Sequence, residues 1–218
     1  MNKLILYTSG STKEPKEITH DKNSVNLMTE RSVKELGLTK DDVVLNVLPS
    51  NVIGYYSVLC LPALHVGATF VTSNFDPYQY IKIFNKYRPT VTVLIPRHIE
   101  ILQNTKGWDS LDMSCVRYLV MGTSIISQST IDMLLNKGVN KIGNWYGMTE
   151  MPPPVFVGNN SESFDFTPTE GYDISFTTEG ECVINGFHTN DIFDLETKKF
   201  LKRKNAANNN TWKTQPTR

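Results

Sequence analysis

The segment Tyr7-Thr8-Ser9-Gly10-Ser11-Thr12-Lys13-Glu14-Pro15-Lys16 follows an apolar run, Leu4-Ile5-Leu6-Tyr7, and leads into a polar helix-like stretch, with His20 closing it. Residues 8–16 carry four aliphatic hydroxyls, one glycine, one proline and two lysines. Hydroxyls and free backbone N–H groups donate to phosphate oxygens, and lysine adds a point charge. A strand emptying into such a turn forms a phosphate cradle. The plainer alternative is an ordinary Ser/Thr/Gly/Pro loop between two elements. The segment is neither G-x-x-x-x-G-K-[ST] nor G-x-G-x-x-G.

Working outward, the chain has 218 residues, with 22 Lys plus Arg balanced by 22 Asp plus Glu. That length buries a real core, and the zero balance gives no global pull toward nucleic acid or a membrane surface. Basic charge gathers only at the end, where Lys198–Arg218 holds seven basic residues and no acidic one. Phe200 and Trp212 are its only aromatics, so a solvated end is the default over a nucleic-acid site. Cys60, Cys115 and Cys182 are sparse and odd in number, which argues for inert buried thiols and against a disulfide framework. The four-residue apolar run at the N-terminus is too short for a signal peptide, and the simplest compartment is the cytoplasm. From Val43 to Phe75 there is no charged side chain, but Pro49, Gly54, Pro62 and Gly67 interrupt the run. It reads as strand, buried helix and strand of a core, not as a membrane span.

Periodicity orders the rest. Lys3–Thr8 is expected as a strand buried on both faces, followed by a helix from His20 to Leu36 that Gly37 terminates. Strands follow at Asp42–Leu48, Thr69–Thr72, Thr90–Ile95, Val116–Met121 and Lys141–Trp145. Helices alternate with them at Gly54–His65, Pro77–Lys86, Arg97–Gln103 and Ser127–Lys137, with Tyr80, Ile81, Phe84 and Tyr87 of the second turned inward. The alternation predicts an α/β fold, a mostly parallel sheet with helices on both faces, followed by a small β-rich portion. Residues 1–150 form the α/β core. Residues 151–204 form the β-rich portion of the same domain, with strands near Val155–Val157, Tyr172–Phe176 and Glu181–Ile184. Residues 205–218 read as a disordered tail.

A second segment carries chemistry. Asn144-Trp145-Tyr146-Gly147-Met148-Thr149-Glu150 follows a strand, and ligands of parallel sheets gather beyond strand carboxyl ends. An aromatic, a glycine, a hydroxyl and a carboxylate there suit base stacking, backbone approach, phosphate binding and Mg²⁺. The four histidines, His20, His65, His98 and His188, are scattered without metal-ligand spacing, so each reads as a satisfied or surface histidine. No G-x-S-x-G elbow makes Ser9 or Ser11 a hydrolase nucleophile.

The order of these segments resembles the adenylate-forming superfamily of acyl-CoA synthetases, peptide-synthetase adenylation domains and luciferases. Its signature loop is [ST]-S-G-[ST]-T-G-x-P-K-G. Thr8, Ser9, Gly10, Ser11, Thr12, Pro15 and Lys16 match in register, while Lys13 and Glu17 stand where the family has later glycines. Tyr146-Gly147-Met148-Thr149-Glu150 matches the second signature at all five positions. The resemblance implies that Tyr146 packs on adenine, that Thr149 contacts the nucleotide phosphate and that Glu150 coordinates Mg²⁺. Gly122 and Thr123 are similar to a glycine-rich turn beside adenine, although Ser127 as a helix N-cap explains that turn equally well. Asn51 stands where the family places a gate to the acyl pocket. Thr189-Asn190-Asp191 resembles the Thr-Gly-Asp whose aspartate binds ribose hydroxyls, and Arg203 aligns loosely with a later arginine. Lys16, Thr149 and Glu150 are the catalytic assignments.

The implied activity is activation of a small carboxylic acid by ATP and Mg²⁺ as an acyl-adenylate, with onward transfer to CoA or a carrier thiol. The comparison also implies that the segment before the signature loop and the C-terminal lid domain are absent. The alternatives are a degenerate ATP- or AMP-binding module without catalysis and half of a split enzyme completed by a separate lid-domain or carrier protein.

Overall fold

The computed structural model describes residues 3–8 and 16–204. It divides after Tyr172 into two units, Met1–Tyr172 and Asp173–Arg218.

The first unit is built on a six-stranded sheet. Its strands are β3 (Val43–Asn46), β4 (Thr69–Thr72), β5 (Val91–Val93), β6 (Tyr118–Gly122), β7 (Ile142–Tyr146) and β8 (Phe156–Asn159), in the order β4-β3-β5-β6-β7-β8. All neighbours pair in parallel except β7 and β8. The unbroken apolar run of β6 shows why both faces are covered. Tyr118 and Val120 pack on one side with α1 (Lys22–Leu36) and α2 (Leu61–Val66). Leu119 and Met121 pack on the other with α3 (Pro77–Tyr87), α4 (Pro96–Gln103) and α5 (Gln128–Asn136). Side chains alternate faces along a strand, so a strand sandwiched between helix layers has no polar side. Each Val or Leu buried this way contributes about 1.5–3 kcal/mol.

The charge-free stretch from Val43 to Phe75 is β3, a π-helical turn (Tyr55–Cys60), α2 and β4. No described helix is long and apolar enough to cross a membrane. Gly37 and Gly67 end α1 and α2 in the left-handed region at φ 55° and 73°, where a Cβ is disfavoured.

Two sequence expectations change here. The first strand, β1 (Lys3–Thr8), lies outside the large sheet and pairs antiparallel with β2 (Lys16–Asp21). Leu4 and Leu6 pack on Val25 and Met28 of α1, while Ile5 and Tyr7 face out. A two-stranded ribbon lying on a helix has only one face to bury, so β1 is not covered on both. Correspondingly, α1 starts at Lys22 and not at His20; Asp21 caps it by accepting from the Ser24 N–H at 2.8 Å. In α3, Tyr80 and Phe84 are buried as expected, but Tyr87 is exposed at the last turn.

The second unit is a four-stranded antiparallel sheet, β9 (Ile174–Phe176), β10 (Glu181–Ile184), β11 (Phe187–Asp194) and β12 (Lys199–Arg203), in the order β12-β11-β10-β9. Phe193 holds it together through edge contacts with Phe176 and Phe200. Cys182 is buried beside it, and burial, with the charges of Asp191 and Glu181, pushes its thiol up to about 12. Cys60 and Cys115 are half-buried and free.

Candidate nucleotide site

Parallel strands β3, β5, β6 and β7 send their carboxyl ends to one edge of the sheet. Asn51 follows β3, Gly122 ends β6 and Tyr146 ends β7. Asn51 is exposed in the loop after β3. That loop is shaped by buried Asn46, which donates to the Tyr55 carbonyl at 3.0 Å and accepts from the Leu48 N–H at 3.1 Å.

At the end of β6, Gly122 is required by close approach, because a Cβ would stand 2.7 Å from the Trp145 carbonyl oxygen. Thr123 follows at φ 69°. A β-branched residue there is strained by about 1–2 kcal/mol, and such strain collects at functional loops. Ser127 caps α5, accepting from the Thr130 N–H at 3.2 Å, so the N-cap role holds alongside any other.

The segment after β7 is fixed from four directions. Tyr146 is buried and stacks on Phe156, with ring centroids 4.6 Å apart and planes 14° apart. A Cβ on Gly147 would lie 2.6 Å from the Pro153 nitrogen, so only glycine lets that backbone pass. Met148 and Met151 exchange main-chain hydrogen bonds of 2.9 and 3.1 Å, which close the turn holding Thr149 and Glu150. Finally, the ring Nε2–H of buried His20 donates to the Thr149 carbonyl at 2.8 Å. Thr149 and Glu150 are half-buried, and neither side chain has a hydrogen-bond or ionic partner among the described residues.

His20 is the penultimate residue of β2, so this bond ties the second signature to the ribbon that carries the first. The ribbon's register pairs Thr8 with Lys16. Ser9, Gly10, Ser11 and Thr12 lie outside the described residues. Glu17, at a family glycine position, sits in β2 as an ordinary strand residue and accepts from the Tyr7 phenol at 3.1 Å. No group of three or more His, Cys, Asp or Glu side chains poised for a metal exists among the described residues. A single carboxylate is still a fitting protein ligand for Mg²⁺, which keeps waters and takes its remaining oxygens from substrate phosphates.

Comparison with known proteins gives the family. The profile of the AMP-binding enzyme family matches residues 3–178. The chain belongs to the AMP-binding enzyme family. Among curated members, it is 32% identical to indoleacetate–CoA ligase of Aromatoleum aromaticum over 151 residues, 69% of this chain and 29% of that protein. It is 27% identical over 205 residues to 4-coumarate-CoA ligase 1 of Narcissus pseudonarcissus, 83% of this chain and 38% of that protein. The chain thus spans roughly a third of the length of these curated relatives. Among solved folds, it superposes on O-succinylbenzoate coenzyme A synthetase (MenE) of Bacillus subtilis in complex with AMP with a TM-score of 0.76. There the identity is 19%, and the match covers 92% of this chain and 49% of that one. The same synthetase has been solved with ATP and magnesium ion.

In this AMP-binding enzyme chain, Asp191 belongs to the second unit. It is buried in β11, and both carboxylate oxygens accept from Arg203, each at 2.7 Å. Asn190 beside it takes φ 63° at a register shift between β10 and β11, the left-handed backbone that the family glycine would supply. Glu181 steadies the shift by accepting from the Asn190 N–H at 3.1 Å, and Thr189 accepts from the Asp191 N–H at 3.1 Å. Phe156 beneath Tyr146, Pro153 against Gly147, and Glu181 carry no signal in the sequence. No spacing rule pairs them, since each meets its partner through tertiary packing. His20 read as a satisfied histidine, which it is, but nothing in the sequence named Thr149 as the group that satisfies it.

The cavity of about 300 Å³ beside α1, lined by Arg31, Glu35, Asn159 and Glu170 among others, lies elsewhere. Asn159 pairs with Gly143 near the start of β7, and Glu35 accepts from Tyr118 at the start of β6. It is therefore at the amino half of the sheet, away from Tyr146–Glu150.

Proposed function

We propose that this chain binds Mg·ATP and activates a carboxylic acid as its adenylate. The observation that carries the reading is the placement of Tyr146–Glu150 at the carboxyl edge of the sheet, bonded through His20 to the ribbon whose ends are Thr8 and Lys16. Family membership supports it.

In this reading Tyr146 packs on adenine, with Gly122, Thr123 and Gly147 beside it. Thr8, Ser9, Gly10, Ser11, Thr12 and Lys16 receive the triphosphate, Thr149 contacts a phosphate oxygen, and Asn51 borders the acid. Glu150 holds Mg²⁺, which when bound neutralises phosphate charge. The acid's carboxylate oxygen attacks the α-phosphorus, the bond to the β-phosphate bridging oxygen breaks, and pyrophosphate leaves. Attack of one anion on another demands positioning and charge neutralisation above all. Lys16 supplies a fixed positive charge, and Thr149 a hydroxyl donor. The thiol of CoA or of a carrier then attacks the acyl carbonyl, the bond from that carbon to the phosphate oxygen breaks, and AMP and the thiol proton leave. A cytoplasmic location, where ATP and CoA are at hand, belongs to the same proposal.

The test is acid-dependent exchange of labelled pyrophosphate into ATP, across a panel that includes indoleacetate, 4-coumarate and aliphatic acids. Exchange with at least one acid is the expected result; no exchange with any acid contradicts the enzymatic reading. Nucleotide binding without exchange would instead favour a binding module, the reading that the non-glycine residues Lys13, Glu17 and Asn190 recommend.

A further inference from the structure

We propose that His20 is a positioning residue of this site, one that holds the Thr149–Glu150 backbone in place for the triphosphate and its metal. The inference rests on the nucleotide reading above. His20 is 6% exposed, and its Nε2 is taken up by the Thr149 carbonyl oxygen at 2.8 Å, 129 residues away in sequence. A carbonyl only accepts, so the ring carries its proton on Nε2.

What the bond controls follows from the turn around it. Tyr146 is clamped by its stack on Phe156, Gly147 by Pro153, and Met148 and Met151 by each other. Thr149 and Glu150 are the two residues inside that turn. Among the described residues, the His20 ring is the one side chain bonded to either of their main chains. Among the described residues their side chains have no hydrogen-bond or ionic partner, so their aim depends on the backbone. On the other side, Lys16, Ile18 and His20 share one face of β2, because alternate strand residues do, and burial rises along them from exposed to buried. One rigid strand thus carries the lysine proposed for the triphosphate at its start and the anchor of the metal-holding turn near its end. Groups that orient a metal ligand typically change metal affinity 10–100-fold when removed.

The experiment compares the wild-type chain with His20→Ala and His20→Gln. Calorimetry measures Mg·ATP and metal-free AMP, and hydrogen exchange follows the amides of residues 147–151 without nucleotide. In His20→Ala, Mg·ATP binding weakens about tenfold or more. AMP binding falls less than Mg·ATP binding, since AMP brings no metal to Glu150 and its adenine contacts lie outside the turn, and exchange of the 147–151 amides rises. His20→Gln, whose amide N–H reaches the same carbonyl, restores both. Unchanged Mg·ATP affinity and unchanged exchange in His20→Ala would overturn the proposal. So would equal loss of AMP and Mg·ATP binding without rescue by glutamine, the mark of a merely structural histidine. If the wild type binds neither nucleotide, the functional reading itself falls, while the exchange result still decides whether His20 holds the turn.

Discussion

His98 shows what burial does to a titratable side chain in this fold. It sits in the first turn of α4, 8% exposed, with its ring stacked on Phe75 at a centroid distance of 3.7 Å and an interplanar angle of 8°. Burial disfavours the imidazolium and holds its pKa down to about 4, against an ordinary value of 6.5. Between pH 6.5 and 4 the unfolded chain therefore binds a proton that the folded chain refuses. Stability then rises with pH across that window and is lost as pH falls through it. Thermal melting of His98→Phe, which keeps the ring stack, should show a flatter dependence between pH 4 and 6.5 than the wild type. An unchanged slope would assign the acid sensitivity to other groups. Asp42 shows the opposite case. Burial opposes its charge, but two hydrogen bonds from Arg117, one from Thr90 and one from the Thr39 N–H outweigh it and hold its pKa at about 2. Its contribution is present above about 3.8 and fades only as pH drops toward 2.

Among the elements, β6 and β7 set the distance at which the site is built. Gly122 lets the two strands meet with the Trp145 carbonyl 2.7 Å from where a Cβ would stand. Gly122→Ala must push backbone against backbone, and urea unfolding should show a loss of about 1–3 kcal/mol. A loss below about 0.5 kcal/mol would mean that β6 shifts freely. The same elements show how much was legible in the sequence. Strands covered on both faces, such as Tyr118–Gly122 and Ile142–Tyr146, announce themselves as unbroken apolar runs between turn residues. Thr69–Thr72 was bounded correctly because Gly67 and Asp76-Pro77 punctuate it. The ribbon strand Lys16–Asp21 was not legible. Only Ile18 is apolar within it, and its pairing with Lys3–Thr8 overrides its helix-like polarity. Phe187–Asp194 and Lys199–Arg203 were missed for a related reason. Polar Thr189, Asn190 and Asp191 interrupt the alternation where the register shifts between β10 and β11, so the segment reads as a turn although its flanks pair as strand.

For the whole molecule, the legible part of the candidate site was the contiguity of its residues after a strand, and the illegible part was their mutual support. Tyr146, Thr149 and Glu150 were readable as a group because they are contiguous and follow a strand. That His20 reaches them across 129 residues, and that Phe156 and Pro153 shape the turn from below, depends on how the β1–β2 ribbon and β8 pack around the end of β7. The proposed function requires that turn to receive a metal-bound triphosphate. Calorimetric titration of ATP into the wild-type chain and Glu150→Gln, each with Mg²⁺ and with chelator, measures this directly. The account predicts that Mg²⁺ tightens ATP binding to the wild type and that Glu150→Gln abolishes this gain, at least tenfold, while AMP affinity stays within about twofold. ATP affinity indifferent to Mg²⁺ in the wild type, or a Mg²⁺ effect that survives Glu150→Gln, would contradict it.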